Sequence, residues 1–170
     1  MHSSPSPRKL VEMYLTAFRA VCLGVDPDRS ELEAPFLDNW TAAMRGREVF
    51  LVGSVTGHPV LGDRRIQTST LIHLSPDREW ARTLSRWYKL GPAFVPKLPG
   101  EYLDDVLPGY LVAVDKGVIS LPIHVALKCI ARRTQQVFDL AFKAGYDDLI
   151  PELSRLARAW PVCQEKSCFK

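Results

Sequence analysis

From Glu48 to Gly91 the chain reads EVFLVGSVTGHPVLGDRRIQTSTLIHLSPDREWARTLSRWYKLG, the one long stretch whose apolar residues recur at the short β period. Val49 to Val52 are β-branched, aromatic or aliphatic. Gly53 ends that run or introduces a bulge, after which Ser54-Val55-Thr56 continue it. Gly57, Pro59 and Gly62-Asp63 are turn formers and predict a reversal before Arg64. A second run, Ile66 to Leu74, sets Ile66, Thr68, Thr70, Ile72 and Leu74 against Gln67, Ser69, Leu71 and His73. Ser75-Pro76-Asp77 supplies the next turn. The third run, Trp80 to Leu90, sets Trp80, Arg82, Leu84, Arg86, Tyr88 and Leu90 against Ala81, Thr83, Ser85, Trp87 and Lys89, and Gly91-Pro92 closes it. Three successive runs with short turns predict a three-stranded antiparallel meander.

In the third run the aromatic face is also the arginine face. Buried, Arg82 and Arg86 need carboxylates or carbonyls, because an unpaired charge away from water is very costly. Exposed, they offer cations and rings together, which suits phosphate, nucleotide or acidic protein partners. The plainer reading is that both arginines lie over a half-buried sheet and pair locally.

The residues Gly57-His58-Pro59, Thr68-Ser69 and Trp80-x-Arg82-Thr83-x-Ser85-Arg86-x-Tyr88-x-Leu90-Gly91 carry a resemblance. The chain resembles a group of small bacterial proteins, mostly alphaproteobacterial and seen on mobile elements, classed only as a domain of unknown function. The resemblance covers about the first half of the chain. It implies an accessory or anti-defence (inhibitor) factor of a phage or mobile element, and it assigns no activity to any residue.

Outside this stretch the pattern is helical. Residues Pro7 to Leu23 repeat Leu10, Val11, Tyr14, Leu15, Phe18 and Val21 at three and four residues, with Ser6 placed as cap, Pro7 at the first position and Gly24 as stop. A second helix is predicted from about Ser30 to Arg45, with Leu32, Phe36, Leu37, Trp40 and Met44 inward. Prolines 92, 96, 99 and 108 mark a connector, with a short helix over Glu101 to Val106 and a brief strand over Tyr110 to Val114. A long helix from Leu121 to Ala144, capped by Ser120, and a last one from Asp147 to Trp160 predict a C-terminal helical hairpin. The expected class is α+β: two N-terminal helices on a three-stranded meander in residues 1–91, then connector and hairpin in 92–170, as one compact unit.

The 170 residues, 46 % hydrophobic and 24 % charged, are those of an ordinary globular domain, and no apolar run is long enough to cross a bilayer. No secretory signal is evident, so the chain is read as cytoplasmic. A net charge of +3 is too small for strong non-specific attraction to nucleic acid. Between Arg64 and Lys97, however, seven basic residues stand against two acids, Asp77 and Glu79. A basic face on a near-neutral body favours a specific acidic partner, or a nucleic acid, over bulk coating.

No cofactor or metal motif is present. Cys163 and Cys168 match no zinc spacing, Gly53, Gly57 and Gly62 form no phosphate loop, and the Asp104-Asp105 and Asp147-Asp148 pairs are adjacent rather than face-sharing. The leading expectation is a non-enzymatic binding protein with a protein partner, held by Arg82, Arg86, Trp87, Tyr88, Arg64, Arg65 and Lys89. A first alternative is nucleic-acid binding by the same face. A second is a small hydrolase or transferase around His58, His73 and Ser69, against which stands the lack of an acid placed to orient either ring. Neither a membrane partner nor an oligomeric state is indicated.

Overall fold

The computed structural model describes residues 5–24, 34–94, 113–115 and 117–165. Among these residues eight strands form one sheet: β1 (Phe36–Arg45), β2 (Glu48–Thr56), β3 (Arg64–Gln67), β4 (Leu71–Leu74), β5 (Trp80–Thr83), β6 (Trp87–Leu90), β7 (Ala113–Asp115) and β8 (Val118–Ser120). The first six lie in the order β3-β2-β1-β6-β5-β4. All neighbours are antiparallel except β1 and β6, which are parallel.

β3 and β4 stand at opposite ends of this order, yet only residues 68–70 join them. The Thr68 amide still donates to Leu51 on β2 at 2.9 Å, and the Thr70 carbonyl already accepts from Leu84 beside β5 at 2.8 Å. The sheet therefore curls until its ends meet, and residues 64–74 form one bent strand shared by both halves. Five strands running alternately up and down bring the first and last together pointing the same way. That parity is the reason for the parallel pair. Its bonds run from Lys89 N to Pro35 O (3.1 Å), Gly91 N to Leu37 O (2.9 Å) and Phe94 N to Trp40 O (2.7 Å). Closure spares the barrel long unpaired edges.

Leu37, Leu51, Val55, Ile66, Leu71, Leu74, Tyr88 and Leu90 pack in one core with Trp40, whose indole donates to Gly91 O at 2.8 Å. β8 pairs with β1 at Ala43 and Met44, and it leads into α2 (Ile123–Ala131), which adds Ala126 and Ile130 to that core. A second core lies outside the barrel. There α1 (Pro7–Leu23), α3 (Arg133–Lys143) and α4 (Ile150–Glu165) pack together and onto Ile72, Leu84 and Trp87 of the sheet. Phe18 meets the fully buried Trp160 edge-on at 5.0 Å, a contact worth about 1 kcal/mol beyond burial.

The first helix is as the sequence predicts, with Ser6 Oγ accepting from Lys9 N at 3.3 Å and Gly24 at φ 83° ending it. The rest of the α+β expectation needs correction in detail. The predicted second helix is strand β1. A bulge between Asp38 and Thr41, with Asn39 at φ 49°, inserts a residue and reverses the in–out phase. Leu37 points inward before it, Met44 after it, and the resulting 37, 40, 44 spacing mimics a helix. The single run 66–74 is two strands. At a second bulge both Ile72 and His73 lie opposite Arg82, so Ile72 joins the outer core while Leu71 and Leu74 join the inner one. The run 80–90 is a hairpin closed by a tight turn at Leu84-Ser85-Arg86, where Thr83 N donates to Arg86 O at 2.9 Å.

Towards the C-terminus the long helix breaks at Arg132, and Ser120 ends β8 instead of capping. Pro122 holds the cap position of α2 with no side-chain cap bond. The last helix begins at Ile150 and continues past Trp160. The expected start of the second helix at Ser30, the Glu101 to Val106 helix with Asp104-Asp105, and Cys168 lie outside the described residues.

Candidate partner-binding surface

Phe36 lies opposite both Thr56 and Lys89. The chain after Thr56 and the chain before Trp87 therefore extend past the start of β1 in the same direction. Loop 57–63 and turn 84–86 meet at this end of the barrel, away from β8 and α2.

His58 holds the loop. Its Nδ1 accepts the backbone N–H groups of Val60 (3.2 Å) and Leu61 (3.0 Å), and its carbonyl accepts from Gly62 N at 3.1 Å. The Asp63 carboxylate accepts from Gly57 N at 2.9 Å. An Nδ1 that accepts must be unprotonated. Burial, and next the Arg86 charge, lower the His58 pKa and keep it so. The His58 ring lies 6.5 Å from the Tyr88 ring, whose phenol burial pushes up while Arg86 pulls it down. Arg82, only 6 % exposed, is lowered first by burial and then by Arg86, and its Nε has no hydrogen-bond partner. Arg86 thus acts electrostatically on His58, Tyr88 and Arg82 alike.

The predicted contact residues do not share one face. In the hairpin Arg82 lies opposite Trp87, and Ala81 opposite Tyr88. Arg82 and Trp87 consequently face outward, Trp87 against the helices, while Tyr88 fills the barrel. Arg64 and Arg65 are exposed on β3, and Arg86 and Lys89 are half-buried.

The second alternative's residues are not brought together either. His58 lies against Tyr88, whereas His73 meets Trp87 edge-on at 6.3 Å. Tyr88 and Trp87 are consecutive in β6 and point to opposite faces, so the two histidines do too. Burial pushes the His73 pKa down to about 4, with Asp77 opposing, and its Nδ1 is unpartnered. Ser69 is engaged elsewhere: its Oγ lies 3.1 Å from Thr83 Oγ1 and 2.9 Å from Ser85 Oγ, and it accepts Ser85 N–H at 3.1 Å. This hydroxyl knot supports the turn that carries Arg86, and sequence reasoning missed it. Its signal is Thr83-x-Ser85 flanking a reversal, hydroxyls suited to bonding turn backbone.

Charge pairing differs sharply between the layers. Among the described residues the ion pairs lie on the helices: Arg8 with Asp148 and Glu12, Lys9 with Glu12, and Arg19 and Arg155 with Glu152. Arg64, Arg65, Arg82 and Arg86 have no such pair there. No three of His, Cys, Asp and Glu cluster as metal ligands among these residues, and no helix is long and apolar enough to cross a membrane.

A family model described as a family of unknown function, DUF6634, matches residues 1–109. The chain belongs to that family. The DUF6634 match spans α1 and the whole closed barrel with its arginines, and stops before β8 and the C-terminal helices. Searches of curated proteins and of solved structures return no match.

Proposed function

We propose that this DUF6634 chain is a non-enzymatic binding protein that takes an acidic protein partner at the open end of the barrel, through Arg64, Arg65 and Arg86. The supporting observation is the division of charge among the described residues: Arg8, Lys9, Arg19 and Arg155 of the helices meet acids of their own chain, whereas Arg64, Arg65 and Arg86 meet none. The surface is narrower than the seven residues expected from sequence, because Tyr88 fills the barrel, Arg82 is buried on its outer face and Trp87 is under the helices. Service to a phage or mobile element as an inhibitor rests on the sequence resemblance alone.

The test is capture from host extract, with and without nuclease, by the wild type and by a folded Arg64→Ala, Arg65→Ala, Arg86→Ala variant. The expected result is a protein retained after nuclease and held roughly 10- to 100-fold more weakly by the variant. Loss of every partner on nuclease treatment moves the reading to nucleic acid. Full retention of every partner by the variant refutes the surface.

A further inference from the structure

The loop between β2 and β3 is bonded to itself. Gly57 at φ 70° and Gly62 at φ 64° turn the chain, in a backbone region that favours glycine. Between them His58 Nδ1 accepts the N–H groups of Val60 and Leu61, and His58 O accepts Gly62 N–H. Asp63 accepts Gly57 N–H and closes the base. The imidazole that carries this frame is buried and lies against the Tyr88 ring of the barrel core.

What the frame holds out is apolar. Val60 is 79 % exposed and Leu61 39 % exposed, with the exposed Pro59 beside them. A single apolar side chain in water is ordinary. Neighbouring ones on a loop whose backbone is tied down are different, because the ties keep them from folding back onto the barrel. Arg64 and Arg65 follow the loop directly, opposite Val55 and Ser54, exposed and without an ion pair among the described residues. Phe36, itself 37 % exposed, begins β1 opposite Thr56 at this same end. An apolar centre beside a charged rim is the anatomy of a protein interface.

We infer that loop 57–63 is a preformed anchor whose Val60 and Leu61 enter an apolar pocket on the partner, while acidic groups around that pocket meet Arg64 and Arg65. This rests on the reading of an acidic protein partner and names what its surface must contain. A fixed backbone lowers the ordering cost of entering a shaped pocket. A fluid anionic bilayer also takes apolar and basic groups together, but it makes no use of a fixed tip. His58 is the positioning residue.

The test places a photoreactive leucine at position 61 of the full chain, and separately at position 23, where Leu23 of α1 is 87 % exposed. Both proteins are irradiated in nuclease-treated host extract. Position 61 should join a protein, and the joined peptide, read by mass spectrometry, should be apolar with Asp or Glu adjacent; position 23 should not join it. A Val60→Ser, Leu61→Ser variant should release that protein roughly 10- to 100-fold faster, with the salt dependence of association unchanged. Arg64→Ala with Arg65→Ala should instead slow association and flatten its salt dependence. His58→Ala should weaken binding roughly tenfold, and His58→Asn, whose Oδ1 is placed to accept the same two N–H groups, should restore it. Should His58→Ala fail to fold, the two serine substitutions, made at the surface, decide. No protein joined at position 61, equal joining at position 23, wild-type release by the serine variant, or wild-type binding by a folded His58→Ala overturns the inference. So does flotation with vesicles of equal parts phosphatidylserine and phosphatidylcholine that the serine variant loses, which assigns the tip to a membrane. Binding that needs the arginines and not Val60 and Leu61 removes the anchor and leaves the binding reading; the reverse outcome removes the acidic partner and leaves the anchor.

Discussion

Among the described residues the helix layer pairs several of its exposed cations with acids, while Arg64, Arg65, Arg82 and Arg86 of the barrel have no such pair. In the helices Arg8 and Arg19 of α1 reach Asp148 and Glu152, so distant parts of the chain are joined by complementary ions. These contacts are largely exposed and individually weak. In the barrel the arginines are unmatched among the described residues, and one of them is buried. Hydrophobic packing holds both layers together, and among the described residues the ion pairs lie in the helix layer. The difference indicates that barrel stability comes from close packing, and it is the ground for proposing that Arg64, Arg65 and Arg86 serve an outside partner.

The largest effect that sharpens this contrast comes from adding one methyl group. Gly53 lies against the β1 bulge, and a Cβ there would meet the Asp38 carbonyl oxygen at 2.8 Å and the Trp40 Cα at 3.1 Å. Both are backbone atoms of the strand that closes the barrel, so neither yields cheaply. Gly53→Ala should cost about 3 kcal/mol in urea unfolding, whereas each of Arg64→Ala and Arg65→Ala, exposed on β3, should change stability by less than about 0.5 kcal/mol. Comparable losses for all three would erase the distinction between packing and charge.

A second effect, somewhat smaller near neutral pH, separates the layers by acid. Burial holds the folded His73 imidazole at about 4 against an ordinary 6.5. As pH falls the unfolded chain therefore takes up this proton first. The contribution of His73 is fully present above pH 6.5 and is lost between 6.5 and about 4. Wild type should lose about 2 kcal/mol by pH 5 from this source and about 3 kcal/mol by pH 4, and His73→Phe should abolish that slope. The helix-layer acids behave differently. Hydrogen bonds from Arg8 and Arg19 hold Asp148 and Glu152 below their usual range, so their contributions disappear only in stronger acid. An unchanged slope between pH 6.5 and 5 in His73→Phe would show that the imidazole is not dry.

How much of this was legible in the sequence depends on the phase of each strand. Helix α1 was readable because Ser6, Pro7 and Gly24 bound an unbroken apolar period. Strand β2 was readable for the same reason. Strand β1 was not, since its bulge shifts the inward phase and turns alternation into a false helical spacing. The arginine face failed similarly: alternation was carried through Leu84 to Arg86, where the chain in fact reverses and pairs Arg82 with Trp87. The parallel contact of β1 with β6 joins residues about fifty apart, so no local pattern encodes it. What the residues did carry was composition. The excess of arginine over acid was visible from the start, though not which guanidinium would be buried.

The most direct measurement is urea unfolding, in chloride buffer, of two matched substitutions, Arg82→Met in the barrel and Arg19→Met in the helix layer. Opposite signs are expected. Arg82→Met should gain about 1 kcal/mol or more by removing an uncompensated buried charge, and Arg19→Met should lose at most about 1 kcal/mol with its exposed pair to Glu152. A loss of stability in both variants would mean that Arg82 holds the fold together as Arg19 does, and would contradict the claim that the barrel carries its charge for a partner.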